Sequence, residues 1–462
     1  MGRRLLVVAI ALVGVRVLTI VAYRDTLYYY GLVAHQFAIA DAAHAGHWFA
    51  WDEVRSGAAF DLANREKRHV PLEEWARLPS SGRYTTFPAA DLPGLGYVIA
   101  ETSRWAGGPL TTRYALALQV GVELAALLGF VACVGAAFGE RPAFLAGLVY
   151  VFGFPFVWPM ASQPMRDVFL LGVYAAFLAA LFLFARTRGP WSWLGPLALM
   201  ALGSLLLWVR PHGYYFFAVV APLALLVRGR PVRERAAFAV LVVLVPWLVF
   251  GLPLRRFNLR HYGVAETHAI GRAVWEHLGI VRDNPYGFAM DDAAMAPWVK
   301  AHYGRDVPYA SPEMNRLLSE YAFSVIRKDP AFFLHALALS FGEMLKTPLD
   351  VVPPFSIVEY SKSGLRPLEY ARAHPGSFAY KVLNRAYLLA FFYGALAAAV
   401  SLARRRPDRL FELAVLLSPL VYTALVLLAT HFESRYMALG AWTLVAPLGC
   451  ALDRRLGPSA RP

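Results

Sequence analysis

The chain has 462 residues, of which 58% are hydrophobic and only 16% are charged. A soluble domain is about half apolar and about a quarter charged, so this composition is typical of a membrane protein. It excludes a disordered chain, a collagen-like chain and a disulfide-rich secreted scaffold. The net charge of +14 would favour a nucleic-acid partner only if the basic residues clustered on one folded surface. Cys133 and Cys450 both lie in apolar runs, so they predict neither a disulfide framework nor a metal site.

Long apolar windows recur along the chain. A bilayer core about 30 Å thick requires about 20 apolar residues in a helix. Windows of this kind predict ten transmembrane helices, at 4–22, 113–137, 142–159, 167–185, 191–208, 212–228, 236–254, 381–403, 410–430 and 436–452. An eleventh stretch, 331–346, is short and ends in charged residues, so a re-entrant or interfacial helix is the alternative to a span there. The expected fold class is an all-α polytopic membrane protein with about 10–11 transmembrane helices.

Arginine-rich segments between the spans predict the orientation. With ten spans they all fall on one side, which the positive-inside rule makes cytoplasmic: Arg3-Arg4, Arg186 and Arg188, Arg228 to Arg235, Arg404 to Arg409, and Arg454-Arg455. Both termini are then cytoplasmic, and the positive charge is explained without nucleic acid. No small-residue cleavage site follows the N-terminal apolar run, which we interpret as a retained helix. The expected location is a bacterial inner membrane.

The opposite face carries two long loops, at 23–112 and 255–380. We accordingly divide the chain into an N-terminal membrane module (1–254, including the first loop), a second loop (255–380) and C-terminal helices (381–462). Such translocated loops can build a water-facing site.

Each loop contains a predicted helix. Tyr28 to His47 has helical spacing and many aromatic residues, which favours a helix along the membrane surface. Ser311-Pro312-Glu313 is a good helix start, and Asp329-Pro330 should end that helix at Lys328.

Charged residues gather at the outer ends of four predicted spans. They are Asp25, Arg166-Asp167, Arg210-Pro211-His212 and Glu433-Ser434-Arg435-Tyr436. A carboxylate beside guanidinium groups suits a reaction on a lipid-linked phosphate, because arginine binds phosphate oxygens and a carboxylate can accept a proton from an attacking hydroxyl. The alternative is that each charge only marks a helix end, since such charges are common there. The coincidence of four sites favours the functional interpretation.

Two charges lie deeper, Arg16 in the first span and Glu123 in the second, one turn after Gln119. A proton relay is one interpretation, but a structural ion pair between neighbouring helices is the one we favour.

Two further groups could hold a metal ion. The first group is His35, His44 and His47, for which we favour a role as anchors at the lipid headgroups. The second group is Asp291-Asp292, which we interpret as a solvated pair of carboxylates in a loop. No cofactor is predicted, and a divalent cation is left open.

The order of several short motifs resembles the GT-C superfamily of polyprenyl-phosphate-sugar-dependent glycosyltransferases, which includes protein O-mannosyltransferases and lipid A aminoarabinose transferase. The matching segments are Asp25 with its tyrosines, Gly46-His47-Trp48, Phe87-Pro88, Leu92-Pro93-Gly94, Met165-Arg166-Asp167, Trp208-Val209-Arg210-Pro211-His212-Gly213, Arg327-Lys328-Asp329-Pro330 and Glu433-Ser434-Arg435-Tyr436. The chain departs from the pattern in lacking an Asp-Glu doublet at Asp25. Asp52-Glu53 therefore competes as the first-loop acid.

The resemblance implies a membrane enzyme that moves a hexosyl or pentosyl unit from a polyprenyl-phosphate carrier to a glycan, lipid or protein acceptor. It implies Asp25 as general base, Asp167 as a second acid that orients the acceptor or the base, and Arg210 with Arg435 as the phosphate clamp. The supporting residues would be Arg166, His212, Glu433 and Tyr436. The alternatives are a surface-polysaccharide polymerase or ligase and a lipid-linked-glycan transporter or flippase, although transporters usually carry paired repeats and midplane breaks.

Overall fold

The structure, a computed structural model, describes ten segments of the chain: 2–23, 30–48, 50–66, 70–86, 94–154, 164–265, 270–308, 311–349, 364–430 and 434–457. Apart from one two-stranded ribbon, their regular structure is helical. The predicted all-α class is confirmed.

The helices are numbered here in chain order. They are α1 (Gly2–Tyr23), α2 (Tyr30–His44), α3 (Glu53–Glu66), α4 (Leu72–Trp75), α5 (Gly94–Trp105), α6 (Arg113–Phe138), α7 (Glu140–Leu148), α8 (Arg166–Arg186), α9 (Trp191–Leu206), α10 (Phe217–Leu225), α11 (Val232–Pro246), α12 (Leu252–Tyr262), α13 (Ile270–Leu278), α14 (Met295–Tyr303), α15 (Pro312–Lys328), α16 (Pro330–Lys346), α17 (Pro367–Ala373), α18 (Pro375–Arg405), α19 (Leu410–Ala429), α20 (Ser434–Ala441) and α21 (Val445–Arg455). The ribbon pairs β1 (Ala50–Trp51) with β2 (Thr85–Thr86) in antiparallel register.

Seven helices of the described chain are long and apolar enough to cross a membrane. They are Gly2–Val21, Arg113–Phe138, Arg166–Arg186, Val232–Tyr262, Pro375–Arg405, Pro407–Ala429 and Tyr436–Arg455. Each coincides with one of the ten predicted spans. The chain is thus a polytopic α-helical membrane protein by the length and composition of its helices.

The three other predicted spans contain shorter helices. At 191–208 the helix has 16 residues, which reach about 24 Å at 1.5 Å per residue. At 212–228 the chain enters through a 3₁₀ turn, Pro211–Phe216, before α10 begins. At 142–159, α7 continues as a π turn, Val149–Gly153, and the predicted end of that span lies outside the described residues. Proline and non-α turns explain why these helices are shorter than their apolar windows.

Helix α8 is the centre of the bundle, packed between α6 and α9. Of its apolar window, 78% is buried within the protein. Its first turn carries Asp167 and its last turn carries Arg186. The helix therefore connects two polar regions at opposite ends of an apolar core.

Helix α2 confirms the predicted helix in the first loop but not its setting at the membrane surface. Residues 36–40 of this helix are all buried, so every face of it is covered by protein at that level. The buried Gln36 side chain accepts a hydrogen bond from the Gly96 N–H of α5 at 3.0 Å. At residues 36–40 the helix therefore contacts protein and not lipid headgroups.

The second loop has a hydrophobic core of its own, built on Trp275, Met314 and Leu318. Ser311 caps α15 by accepting the Met314 N–H at 3.1 Å, as predicted. Helix α15 ends at Lys328, and Asp329 caps α16 through the Phe332 N–H at 3.0 Å. The predicted start and end of this helix are confirmed, and residues 330–346 form a single helix.

Candidate active site

The first turn of α8 holds the carboxylate of Asp167. Met165 precedes the helix in an extended conformation and its side chain supplies no cap. A carboxylate in the first turn is favoured by the partial positive charge of a helix N-terminus. The predicted helix start at Arg166-Asp167 is confirmed, and Arg166 is half-buried beside it.

Arg210 lies in the connection between α9 and the 3₁₀ turn. It has an extended backbone (φ −138°, ψ 94°), as expected for a residue before proline, because the ring of Pro211 disfavours the helical conformation there. Gly213 allows this turn to approach α8, since a Cβ at that position would lie 2.7 Å from the Leu170 Cδ1 atom. The turn is thereby held against the same helix that carries Asp167.

Asp167 and Arg210 form a buried ion pair. The Arg210 Nε atom lies 2.8 Å from the Asp167 Oδ1 atom, and the two side chains are 4% and 10% exposed. Two charges withdrawn from water require each other, because an unpaired buried charge costs several kcal/mol. The geometry thus joins two of the four predicted site segments directly.

Tyr436 of α20 brings a third segment to the pair. The Arg210 guanidinium carbon lies 5.1 Å from the centre of the Tyr436 ring, a cation–π contact. The His212 ring is 5.9 Å from the same ring. The Tyr422 hydroxyl of α19 donates a hydrogen bond to the His212 carbonyl oxygen at 2.5 Å, which anchors the 3₁₀ turn to α19. Three segments far apart in sequence therefore meet around one guanidinium group.

Gln119 supports the acidic end of α8 from the neighbouring helix α6. Its buried side-chain oxygen accepts the Met165 N–H at 2.6 Å, two residues before Asp167. The sequence marked Gln119 only as a polar residue within an apolar span. That polarity was the signal available in the sequence, but it did not identify the Met165 N–H as the partner of Gln119.

Gly94 brings the first loop to the same place. A Cβ on Gly94 would lie 2.0 Å from the Trp208 carbonyl oxygen and 2.8 Å from the Val209 Cα atom, so only glycine permits this contact. Trp208 and Val209 lead directly to Arg210. The N-terminus of α5 is therefore packed against the backbone of the arginine turn.

Asp52, the competing first-loop acid, is a buried helix cap. Its Oδ1 atom accepts the Arg55 N–H at 3.2 Å and the Ser81 hydroxyl at 3.2 Å, and its Oδ2 atom accepts the Ser80 hydroxyl. Burial opposes ionisation, but the hydrogen bonds from Ser80, Arg55 and Ser81 outweigh it and lower the pKa of Asp52. Glu53 begins α3 and is exposed.

A second acid in the first loop, Asp41, pairs with Arg55. One guanidinium nitrogen of Arg55 lies 2.9 and 3.0 Å from the two Asp41 oxygens. Burial raises the pKa of Asp41 despite this partner. The sequence did not single out this pair, because its members lie on separate helices and ordinary loop charges surround them.

The remaining predicted site residues have separate outcomes. Asp25 and Glu433 lie outside the described residues, as does the side chain of Arg435, whose backbone is in the first turn of α20. The described part of the chain tests only the pairing of Asp167 with Arg210 and the approach of Tyr436 and His212.

The two candidate metal groups make other contacts. His47 stacks on Tyr84 with ring centres 4.0 Å apart, and His35 packs edge-on against Phe60. Asp291 accepts the Ala293 N–H at 3.0 Å, and the Asp292 side chain lies outside the described part. Within the described residues no group of three or more His, Cys, Asp or Glu side chains could hold a metal ion.

Comparison with known proteins gives structural neighbours only. No family model matches the chain. No curated protein matches it in sequence. Among solved structures it is similar to the oligosaccharyltransferase of Archaeoglobus fulgidus tethered to an acceptor peptide containing the NVT sequon, with 13% identity and a TM-score of 0.49 over 97% of this chain and 49% of that one. The same enzyme, AglB, in complex with an inhibitory peptide and a dolichol-phosphate gives 13% identity and a TM-score of 0.49 over 99% and 52%. Its complex with Zn and sulfate gives 14% identity and a TM-score of 0.48 over 97% and 49%. The chain spans about half the length of these archaeal oligosaccharyltransferases.

Proposed function

We propose that this protein is a membrane glycosyltransferase of the GT-C type, which moves a sugar from a polyprenyl-phosphate carrier to an acceptor at the extracytoplasmic face. The observation that carries the proposal is the buried pair of Asp167 and Arg210 at one end of the central helix, with Tyr436 against the guanidinium. A charge that only marked a helix end would face headgroups or water. This pair instead lies inside the protein, where several segments converge.

The chemistry of the pair suits a lipid-linked phosphate. A guanidinium has five N–H donors in a fixed fork that matches the oxygens of a phosphate group, and Arg210 is the arginine that pairs with Asp167. In the proposed reaction Arg210 and Arg435 stabilise the departing phosphate as its negative charge develops. Asp167 orients Arg210 and the acceptor.

Asp25 is the proposed general base, which takes a proton from the attacking hydroxyl. The structure favours it indirectly, since Asp52 accepts hydrogen bonds from four donors and has a lowered pKa. Both properties make Asp52 a poor proton acceptor. Arg166, His212, Glu433 and Tyr436 are the proposed supporting residues.

The proposed orientation follows from the arginine-rich helix ends. Asp167 and Arg186 terminate α8 at opposite ends, so an arginine-rich cytoplasmic face places the Asp167 end outside. We propose that both termini are cytoplasmic and that the membrane is a bacterial inner membrane. The proposed division of the chain is a membrane module at 1–254, a second loop at 255–380 and C-terminal helices at 381–462.

A deletion strain of the native host tests the proposal. Mass spectrometry of its lipid A, lipid-linked oligosaccharides and glycoproteins should reveal one lost sugar modification and an accumulated carrier-linked donor. In membrane fractions matched for the amount of inserted protein, complementation with Asp25→Asn, Asp167→Asn or Arg210→Gln should not restore the product, because loss of a general base or an electrostatic stabiliser typically costs about 10²- to 10⁴-fold in rate.

The matched control is Asp291→Asn, an exposed loop acid whose hydrogen bond to the Ala293 N–H an asparagine oxygen can keep. It should transfer sugar at the parent rate. Parent-level product from well-inserted Asp167→Asn and Arg210→Gln would overturn the proposal. Loss of a polymerised oligosaccharide would instead favour a polymerase or ligase, and donor trapped in the cytoplasmic leaflet would favour a flippase.

A further inference from the structure

A cavity of about 370 Å³ lies at the end of the bundle opposite to the Asp167–Arg210 pair. It is bounded by the last turns of α8, the start of the segment that follows α10, and the turn before α19 with the first turns of that helix. Asp167 and Arg186 are 19 residues apart on α8, which corresponds to about 28 Å along the helix. That length matches the hydrocarbon core of a bilayer, so the two polar regions lie at opposite membrane faces.

The rim of the cavity has an excess of positive charge. Arg186, Arg228 and Arg409 line it together with Asp408 and Glu412. Glu412 is shared, since Arg409 lies 3.1 Å and Arg186 lies 3.6 Å from its Oε1 atom. Three guanidinium groups therefore face two carboxylates, which leaves the cavity suited to an anion.

The helix end itself does not require Arg186. Arg230 caps α8 instead, donating from Nε and Nη2 to the Phe184 carbonyl oxygen at 3.1 and 2.6 Å and also to the Thr187 carbonyl oxygen. A cation at a helix C-terminus normally satisfies these carbonyls. With that role filled by Arg230, the guanidinium of Arg186 is directed to the cavity.

Arg228 is the most available of the three cations. It is exposed and makes no ion pair within the part of the chain that the structure describes. Arginine binds phosphate oxygens in fork geometry, and an arginine without a carboxylate partner breaks no ion pair when it does so.

The inner wall of the cavity is apolar. Leu181 and Phe182 of α8, Val227, and Phe411 and Val415 of α19 line it below the charged rim. A free phosphate ion has no apolar part that could contact this wall. A glycerophospholipid has both parts, a phosphate for the rim and glycerol and acyl groups for the wall.

We propose that this cavity binds the phosphate headgroup of an anionic membrane lipid in the leaflet opposite to the candidate active site. Basic pockets between membrane helices at the cytoplasmic surface commonly hold such headgroups. The site is independent of sugar transfer, because it shares no residue with the Asp167–Arg210 region. The bound headgroup contacts the last turns of α8 and the first turns of α19.

Native mass spectrometry of the detergent-purified full chain tests the site, with phosphatidylglycerol as the probe. The double variant Arg186→Gln/Arg228→Gln should bind phosphatidylglycerol about twenty-five-fold more weakly, taking about fivefold for each arginine near a headgroup. Arg228→Gln alone should weaken binding about fivefold. That single change removes no ion pair within the described chain, so its effect does not depend on a folding defect.

The matched control is Arg404→Gln/Arg405→Gln, which removes the same charge from exposed positions at the end of α18 that do not line the cavity. It should retain phosphatidylglycerol affinity within about threefold. Equal loss in the control, or full retention by the test variants, would overturn the site. Equal binding of phosphatidylcholine, or displacement of the lipid by inorganic phosphate at similar concentration, would overturn its assignment to an anionic lipid.

Discussion

Arg16 and Glu123 form a bidentate ion pair between the first two membrane helices of the chain. The Arg16 Nε and Nη2 atoms each lie 2.5 Å from one carboxylate oxygen, and Tyr150 donates to the Glu123 Oε1 atom at 2.7 Å. Both side chains are almost fully buried, at 2% and 1% exposed. The structural ion pair predicted from their depth is confirmed, and it joins α1 to α6 and to the π turn that follows α7.

We expect Glu123→Gln to destabilise the protein by about 3–5 kcal/mol, because it leaves the Arg16 guanidinium charged and without its counter-ion in the apolar core. The double variant Arg16→Met/Glu123→Gln removes both charges and keeps an oxygen for the Tyr150 hydroxyl. It should be less destabilised than Glu123→Gln alone. Thermal unfolding in detergent of the parent, Glu123→Gln, Arg16→Met and the double variant gives the double-mutant cycle. Effects that add within about 0.5 kcal/mol would contradict the pairing.

Asp52 should prove structural rather than catalytic. Asp52→Asn is expected to transfer sugar at the parent rate. Its free energy of unfolding should be lower by about 1–2 kcal/mol, because the amide nitrogen cannot accept a hydrogen bond from the Ser80 hydroxyl. In-cell complementation measures the first quantity and chemical denaturation the second. A loss of transfer with normal stability would return the base assignment to Asp52.

The pH dependence of that stability difference is a separate test. The folded-state pKa of Asp52 is lowered, so its ionised form is stabilised by folding. This contribution is fully present above the usual aspartate value of 3.8 and is lost as the pH falls through the lower folded-state pKa. The difference between parent and Asp52→Asn should therefore shrink below about pH 4. A difference that stays constant in acid would show that ionisation of Asp52 has no part in it.

Gln119 should act as a positioning residue for Asp167. Gln119→Leu removes the acceptor of the buried Met165 N–H, at a cost of about 1–3 kcal/mol, and frees the first turn of α8. Sugar transfer should fall through a lower kcat, since Asp167 would no longer be held against Arg210. Gln119→Glu keeps an acceptor oxygen at the same reach and should recover most of the lost kcat at a pH that keeps this buried carboxyl neutral, because an ionised one would be an unpaired buried charge. If both variants lose activity equally, the hydrogen bond is not what matters.

Ser311 should stabilise the second loop as a helix cap. Ser311→Ala removes the bond to the Met314 N–H and should cost about 1 kcal/mol. The matched control is Ser324→Ala on the same helix, whose hydroxyl donates to the Tyr321 carbonyl oxygen of the preceding turn. Hydrogen exchange of residues in α15 would report both changes. Similar protection in the two variants would contradict the cap.

Local features of this protein were determined by the sequence. Apolar length predicted the seven long helices, a Ser-Pro-Glu start and an Asp-Pro end predicted α15, and the rise per residue predicted that Arg16 and Glu123 could meet. These properties depend on neighbouring residues or on depth along a helix, which periodicity and composition record directly.

Only the tertiary structure decided which charges meet at the candidate active site and that the Asp52 carboxylate is taken up by hydrogen bonds. The contact of Asp167 with Arg210, the bond from Met165 to Gln119 and the hydrogen bonds that occupy Asp52 all join segments that are separated along the chain. The same holds for α2, whose aromatic composition favoured a surface position while residues 36–40 are buried in the contact with α5. Helical spacing fixes which way a side chain points around its own helix. It does not fix which neighbour covers that face, because the choice belongs to the packing of the whole bundle.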